Sequence, residues 1–351
     1  MLLQPGAPPA GPRHPGTNFA ARIAQLSEPP GYFDTDNLIS NEKSYLHVIP
    51  ALQRAGVRGG AYIGVGPDQN FSYIAQVKPA IAFIVDVRRD NLLLHLLFKA
   101  LFEVSRTRVE YLAGLVGKPA PEHPEQWREA TIERLVSYID EAKTSARTIE
   151  AARARADAAI ARFGVRLSPQ DSATIDRFHR SFASAGLALQ FESAGRLPRD
   201  YDPTYRELLL ETDRQGHHWN YLASEDDFQF VRSLQGRDLI VPVVGNLNGP
   251  TALRAIGRLL GERGDRLSAF YASNVEFYLF GDGTFPRFVQ NLARLPHLPQ
   301  SVVIRSFFGR FVPGESSPGY YSASVVQPVD DLIERFARGE YGSYRNLTIP
   351  R

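Results

Sequence analysis

Two apolar runs constrain the fold of this chain more than anything else in it: GGAYIGVG, ending at Gly66, and AIAFIVD, ending at Asp86. Each is short, continuous and rich in β-branched or aromatic residues, so each reads as a strand covered on both faces, as strands of a parallel sheet must be. Between them Asp68 to Val77 has helical spacing. Strand, helix and strand make a βαβ unit, because parallel neighbours need a crossover. Asn91 to Glu103, NLLLHLLFKALFE, is apolar nearly all round and predicts a helix packed against that sheet. Upstream, Asn41 to Leu52 also has helical spacing, which Pro50 should kink or shorten.

The alternation then lapses and returns. Thr107 with Glu110 has the spacing of a capping box, and Pro124 to Leu189 is charged, Ala-rich and helical in period, without a strand signal. It reads as a helical insertion or cap, either a solvated subdomain or a lid over a substrate. Ser224 with Asp227 marks another helix start, followed by the strand candidates LIVPVVG (239–245) and LSAFYAS (267–273), with helices through TALRAIGRLLGE and FPRFVQNLARL. SVVIRSFF (301–308) and YYSASVV (320–326) close the pattern, as a possible antiparallel edge pair. The expected fold is α/β: an open, mostly parallel, doubly wound sheet interrupted by a helical insertion. Its expected divisions are a disordered segment 1–18, a first Rossmann-like part 19–118, the insertion 119–195, and a second Rossmann-like part 196–351.

Composition narrows the function classes. The 351 residues carry a net charge of only +2, which gives no electrostatic case for nucleic acid or an anionic membrane. With no cysteine there is no disulfide, thiolate nucleophile or thiolate metal site. The Pro- and Gly-rich start lacks the basic and apolar regions of a signal peptide, and no run reaches the roughly 18 apolar residues of a membrane span. A cytoplasmic protein with a small-molecule substrate is the expectation. The signatures G-x-S-x-G, G-x-x-x-x-G-K-[ST] and H-E-x-x-H are absent from the sequence.

In such sheets ligands bind beyond the C-terminal strand ends, so the residues there matter most. After the first run stand Gly64, Gly66, Pro67, Asp68, Gln69 and Asn70. The glycines let the backbone turn sharply, and the following helix start offers unpaired N–H groups. A dinucleotide fingerprint needs a third glycine where Asp68 and Gln69 stand, and a carboxylate there repels phosphate. The ligand expected is therefore phosphate-free or positively charged. Asp86, twenty positions past Gly66, is placed to accept the hydroxyl hydrogens of a ribose, or is an ordinary acid after a strand.

On these residues the chain resembles the class I S-adenosylmethionine-dependent methyltransferase fold. The resemblance implies that Gly64 to Gly66 is the glycine-rich motif, Asp86 the ribose-binding acid, Asn246 a residue near adenine, and Asn274 part of the motif that positions the methyl acceptor. SNEKSYLHV, GGAYIGVGPDQNF, LIVPVVGN and FYASNVEFYLF also resemble a group of uncharacterised bacterial proteins with methyltransferase-like sheets. The chain departs from the methyltransferase pattern at Tyr62, where an acid is usual, at Asp68 for the third glycine, and at Asn246 for an acid. Asn274-Val275-Glu276 likewise lacks the prolines and aromatic of amino-group methyltransferases. S-adenosylmethionine is the cofactor so implied, with Gly64, Gly66, Asp68, Gln69, Asp86, Asn246 and Asn274 around it.

Glu276, Tyr271 and His217 are the candidates for a base or an orienting group. Glu276 lies just past a strand, where the dipole of a helix start also favours an acid. His217 and His218, in RQGHHWNYLAS, make a weak metal signal without spaced partners, and no metal is expected. Asn41, Glu42 and Tyr45 either close over a ligand or cap and pack their helix. A methyltransferase and a non-catalytic binding or scaffolding module both remain open, while the missing glycine and Asp68 disfavour a nicotinamide-dependent oxidoreductase.

Overall fold

A computed structural model describes residues 19–35, 37–192 and 199–348. The segment 1–18 expected to be disordered lies outside these residues, as do positions 193–198 at the expected end of the insertion. Six strands form one sheet: β1 Ala61–Gly64, β2 Ile81–Asp86, β3 Ile240–Val244, β4 Leu267–Ser273, β5 His297–Phe308 and β6 Ser322–Pro328. Their order is β3-β2-β1-β4-β5-β6. The first five are parallel and β6 runs antiparallel to β5. The result is a mostly parallel α/β sheet in a Rossmann-like arrangement. The chain winds outward from β1 through β2 to β3, then returns to lay β4 on the other side of β1. Strand order reverses there, so a crevice opens beyond Gly64 and Ser273.

β1 is buried along its whole length and β2 up to Asp86, as their apolar runs require. Pro242 is tolerated in β3 because that strand is at the sheet edge. β5 starts four residues earlier than its apolar run, at His297, and carries Pro299. The ladder to β6 begins only at Val302, so the proline removes no hydrogen bond on that side. β6 begins two residues later than the run YYSASVV, because the Gly309 N–H bonds to the Tyr321 carbonyl (2.9 Å) and closes the loop before the ladder begins at Ser322. The segment expected as one helix from Asn41 to Leu52 divides into a 3-10 turn, Lys43–Val48, and an α-helix, Ile49–Arg54. Pro50 sits in the first turn of the α-helix, where its missing N–H costs nothing.

The helix Arg89–Val104 is buried from Asn91 to Phe102. It lies on β2 and β3, and the helices Ala146–Arg162 and Pro169–Ala185 cover its outer side, which explains why its apolar surface runs all round. Capping boxes at Ser145 with Thr148 and Ser168 with Asp171 start those two covering helices. The helical region is tied to the chain before β3 by Arg108, only 1% exposed. Its guanidinium donates to the carbonyls of Leu222 (2.7 Å), Ala223 (2.8 Å), Arg128 (3.0 Å) and Ala130, and pairs with Glu225 at 3.6 Å.

The first helix, Phe19–Leu26, packs on β3, and the chain after it crosses the strand ends as a strap. Val244 N–H donates to Ser27 Oγ (3.1 Å), Glu28 N–H to the Val244 carbonyl (2.9 Å), and Gly31 N–H to the Val87 carbonyl (2.8 Å). Among the described residues no helix is long and apolar enough to cross a membrane.

Candidate functional site

The turn after β1 is built around Asn70. Its side-chain amide folds back under the turn and donates to the carbonyls of Val65 (2.8 Å) and Pro67 (2.7 Å), while its Oδ1 accepts from the Tyr62 hydroxyl at 2.8 Å. A Cβ on Gly64 would stand 1.9 Å from that Oδ1, so only glycine fits there. Tyr62, which departs from the methyltransferase pattern, thus braces the turn from below. Gly66 has φ +82°, a conformation costly for any other residue. Its carbonyl accepts from His95 Nε2 at 2.9 Å. That bond defines the tautomer and leaves Nδ1 with a lone pair. Burial pushes the His95 pKa down to about 4, so the ring is neutral.

Several hydrogen-bonding atoms here have no partner among the described residues. They are Nδ1 of His95, Oε1 of Gln69, and both side-chain polar atoms of Asn91. Asn91 precedes His95 by one helical turn on the same face. Gln69 Nε2 donates to the Tyr271 hydroxyl (3.2 Å) and would lie 3.2 Å from a Cβ on Gly66. These three side chains are at most 6% exposed. Buried polar atoms are almost always paired with protein or ordered water, so orphans beside a switch-point turn single it out as the candidate site.

Three carboxyl groups flank the turn, each held differently. Asp68 accepts from the hydroxyls of Tyr205 (2.8 Å) and Tyr221 (3.2 Å), which stand on the far side of the helical region in sequence. Burial raises its pKa from 3.8 to about 6 despite those two hydroxyls. Asp86 is clasped by Arg88, whose backbone N–H and Nε donate to Oδ1 (2.9 and 3.0 Å) and whose Nη2 donates to Oδ2 (2.9 Å). A carboxylate offers about four lone-pair sites, which leaves one on Oδ2. Glu42, 1% exposed, accepts from Ser273 Oγ on one oxygen and from Ser306 Oγ (2.5 Å) on the other. The Tyr271 hydroxyl also bonds to it, and burial raises its pKa above the usual range.

At the end of β4, Ser273 has φ +52°, a left-handed conformation that costs a non-glycine residue about 1 kcal/mol or more. Asn274 follows and caps the helix Val275–Gly281 without a side-chain cap bond. Glu276 points away into a buried ion pair: Arg305 Nε and Nη2 donate to its oxygens at 2.5 and 3.1 Å, and Arg305 Nη1 donates to Gln327 Oε1 at 2.5 Å. Its oxygens are committed to holding that guanidinium.

Of the residues singled out in the sequence, Gly64, Gly66, Asp68, Gln69 and Tyr271 meet at the turn, with Asp86 at the neighbouring strand end. Asn246 faces the strap, its N–H donating to Glu28 Oε1 at 2.6 Å. His217 sits on an exposed loop with Asp213 at 3.4 Å and touches none of the turn residues. Sequence reasoning passed over Asn91 and His95, although polar residues spaced by four in NLLLHLLFK are the signal that marks them. It also passed over Arg88 and the tyrosines that cage Asp68. Among the described residues no group of three His, Cys, Asp or Glu side chains is arranged to hold a metal ion.

Fold and site together define an α/β protein with a Rossmann-like, mostly parallel sheet and a buried polar site at its switch point. Residues 37–349 match the family described as a domain of unknown function, DUF7790, and the chain belongs to that family. Comparison with curated proteins gives no match.

Proposed function

We propose that the chain binds S-adenosylmethionine across the C-terminal ends of β1, β2 and β4 and transfers its methyl group to a small molecule. The orphaned atoms of Gln69, Asn91 and His95 beside Gly66 carry this reading. Three of the four are acceptors, suited to ammonium and hydroxyl donors, and the remaining site on Asp86 suits a ribose hydroxyl. The carboxyls of Glu42 and Asp68, held by hydroxyls and not by arginine, favour a cationic ligand over a phosphate. The antiparallel β6 at the edge of an otherwise parallel sheet also fits a methyltransferase-type fold. The sulfonium supplies an already activated methyl group. The chain's part is to orient the acceptor, keep out water and take up a proton where the acceptor releases one.

A second reading, a binding module without catalysis, draws on how fully the turn is satisfied by its own chain: Asn70 fills the hollow at Gly64, Arg88 clasps Asp86, and Glu28 takes the Asn246 N–H. Calorimetry with S-adenosylmethionine and S-adenosylhomocysteine separates the two. The methyltransferase reading expects both to bind and Asp86→Ala to weaken them at least tenfold. No heat from either ligand at high micromolar concentration, in folded protein, would leave only the second reading.

A further inference from the structure

Two of the carboxylates at the strand ends are held by an arginine, Asp86 by Arg88 at 2.9 Å and Glu276 by Arg305 at 2.5 Å, whereas Asp68 and Glu42 are held by hydroxyls and not by arginine. Glu42 is as buried as Glu276, yet its partners are the neutral hydroxyls of Ser273, Ser306 and Tyr271. The other titratable groups that feel it are Tyr62, Tyr73 and Tyr344, again neutral. No lysine, arginine or histidine among the described residues forms an ion pair with it.

The hydroxyls beyond Glu42 form a continuous chain. Ser306 Oγ, which donates to Glu42 Oε2 at 2.5 Å, lies 3.0 Å from Ser324 Oγ. Ser324 Oγ lies 3.0 Å from Ser44 Oγ, and Ser44 Oγ 2.9 Å from Ser322 Oγ. Ser44, Ser306 and Ser324 are fully buried, while Ser322 lines a surface cleft together with Asn41, Lys43, Glu207 and Tyr321. On the opposite side of Glu42, Ser273 Oγ stands at the end of β4, in the crevice where strand order reverses. A serine hydroxyl donates one hydrogen and accepts others, so each link can pass a proton in either direction.

We propose that Glu42 is a proton-exchanging station and that Ser306, Ser324, Ser44 and Ser322 form the path connecting it to the surface cleft. A proton leaving a group bound at the strand ends passes through the Ser273 hydroxyl, which gives its own hydrogen to Glu42 Oε1 as it receives the new one. The carboxyl group then turns about its Cγ–Cδ bond to bring that hydrogen to Ser306 and gives it up, Ser306 passes its own to Ser324, and the shift continues through Ser44 to Ser322 and out to water. The O–H bonds broken equal those formed, Glu42 is again a carboxylate, and the net result is one proton moved from crevice to cleft. The inference holds for any strand-end ligand that gives up or takes up a proton, and so goes beyond the methyltransferase reading.

Infrared spectroscopy of the full-length, ligand-free chain tests it. A protonated-carboxyl band that Glu42→Gln removes should be present at mildly acidic pH. On transfer to heavy water, in a Ser273→Ala background that removes the crevice-side hydroxyl from Glu42, that band should shift promptly with the serine chain intact and at least tenfold more slowly once Ser324→Ala breaks it at both its neighbours. Ser44→Ala, a break one link further out, should slow it in the same way, with circular dichroism confirming that each variant is folded. Absence of any band removed by Glu42→Gln, or equal exchange rates in the Ser273→Ala background with and without each serine break, would overturn the proposal.

Discussion

Asp68→Asn isolates the energetic cost of placing a carboxyl at the start of the turn helix. Asp68 is 4% exposed, and burial raises its pKa from 3.8 to about 6, with the Tyr205 and Tyr221 hydroxyls acting in the opposite sense. A folded-state pKa above the unfolded one means that the folded protein holds this proton more tightly. The contribution to stability is therefore complete below about pH 4 and is lost as pH rises through about 6. At 1.36 kcal/mol per pH unit the loss amounts to roughly 3 kcal/mol at neutral pH. Asparagine keeps the shape and one acceptor oxygen without the charge, and gives up at most about 1 kcal/mol in hydrogen bonding to the tyrosines at all pH values. Urea denaturation of wild type and variant at about pH 4 and pH 7.5 should show the difference between them changing by roughly 3 kcal/mol, with the variant the more stable at the higher pH. Groups elsewhere titrate alike in the two proteins and cancel. A difference that does not vary with pH, or a variant weaker at neutral pH than at acid pH relative to wild type, would refute the reasoning.

Two further substitutions probe the frame around the site. Gly64→Ala places a methyl group 1.9 Å from Asn70 Oδ1 and should cost about 2–3 kcal/mol in thermal or urea unfolding; Asn70→Ala in the same chain should recover part of it. Arg108→Met strands the carbonyls of Leu222, Ala223, Arg128 and Ala130 and leaves Glu225 without its cation, for a loss of about 3–5 kcal/mol, and limited proteolysis should then open the chain between 119 and 223 first.

What could be read in advance depended on distance along the chain. β1 and β2 were visible because a parallel strand covered on both faces leaves a continuous apolar run, a local property. The starts of β5 and β6 were not, since β5 begins opposite the first residue of β4, His297 against Leu267, and β6 opposite the last residue of β5, Ser322 against Phe308. The same division explains the acids. Glu42 and Glu276 both stand beside strand ends, and nothing local tells them apart. Their roles are assigned by β5, where Arg305 reaches Glu276 and the adjacent Ser306, on the other face, reaches Glu42 across 264 positions. Asp68 is similar: a helix-start acid suggests dipole stabilisation, but it makes no cap bond, and its tyrosine partners arrive from 137 and 153 residues away.

Asn91 and His95 are the instructive case, because their signal was local. A helix apolar on nearly every side has no solvated face, so a polar residue within it must find a partner inside the protein or be left with its hydrogen bonds unmade. Lys99, the third in the series spaced by four, reaches Asp238 at 2.8 Å. His95 has one partner for two ring nitrogens, and Asn91 has none among the described residues. The deficit grows along the helix toward its N-terminus and the strand-end crevice. On this helix the unmet hydrogen bonds concentrate at the strand-end crevice, which is why its N-terminal end belongs to the candidate site.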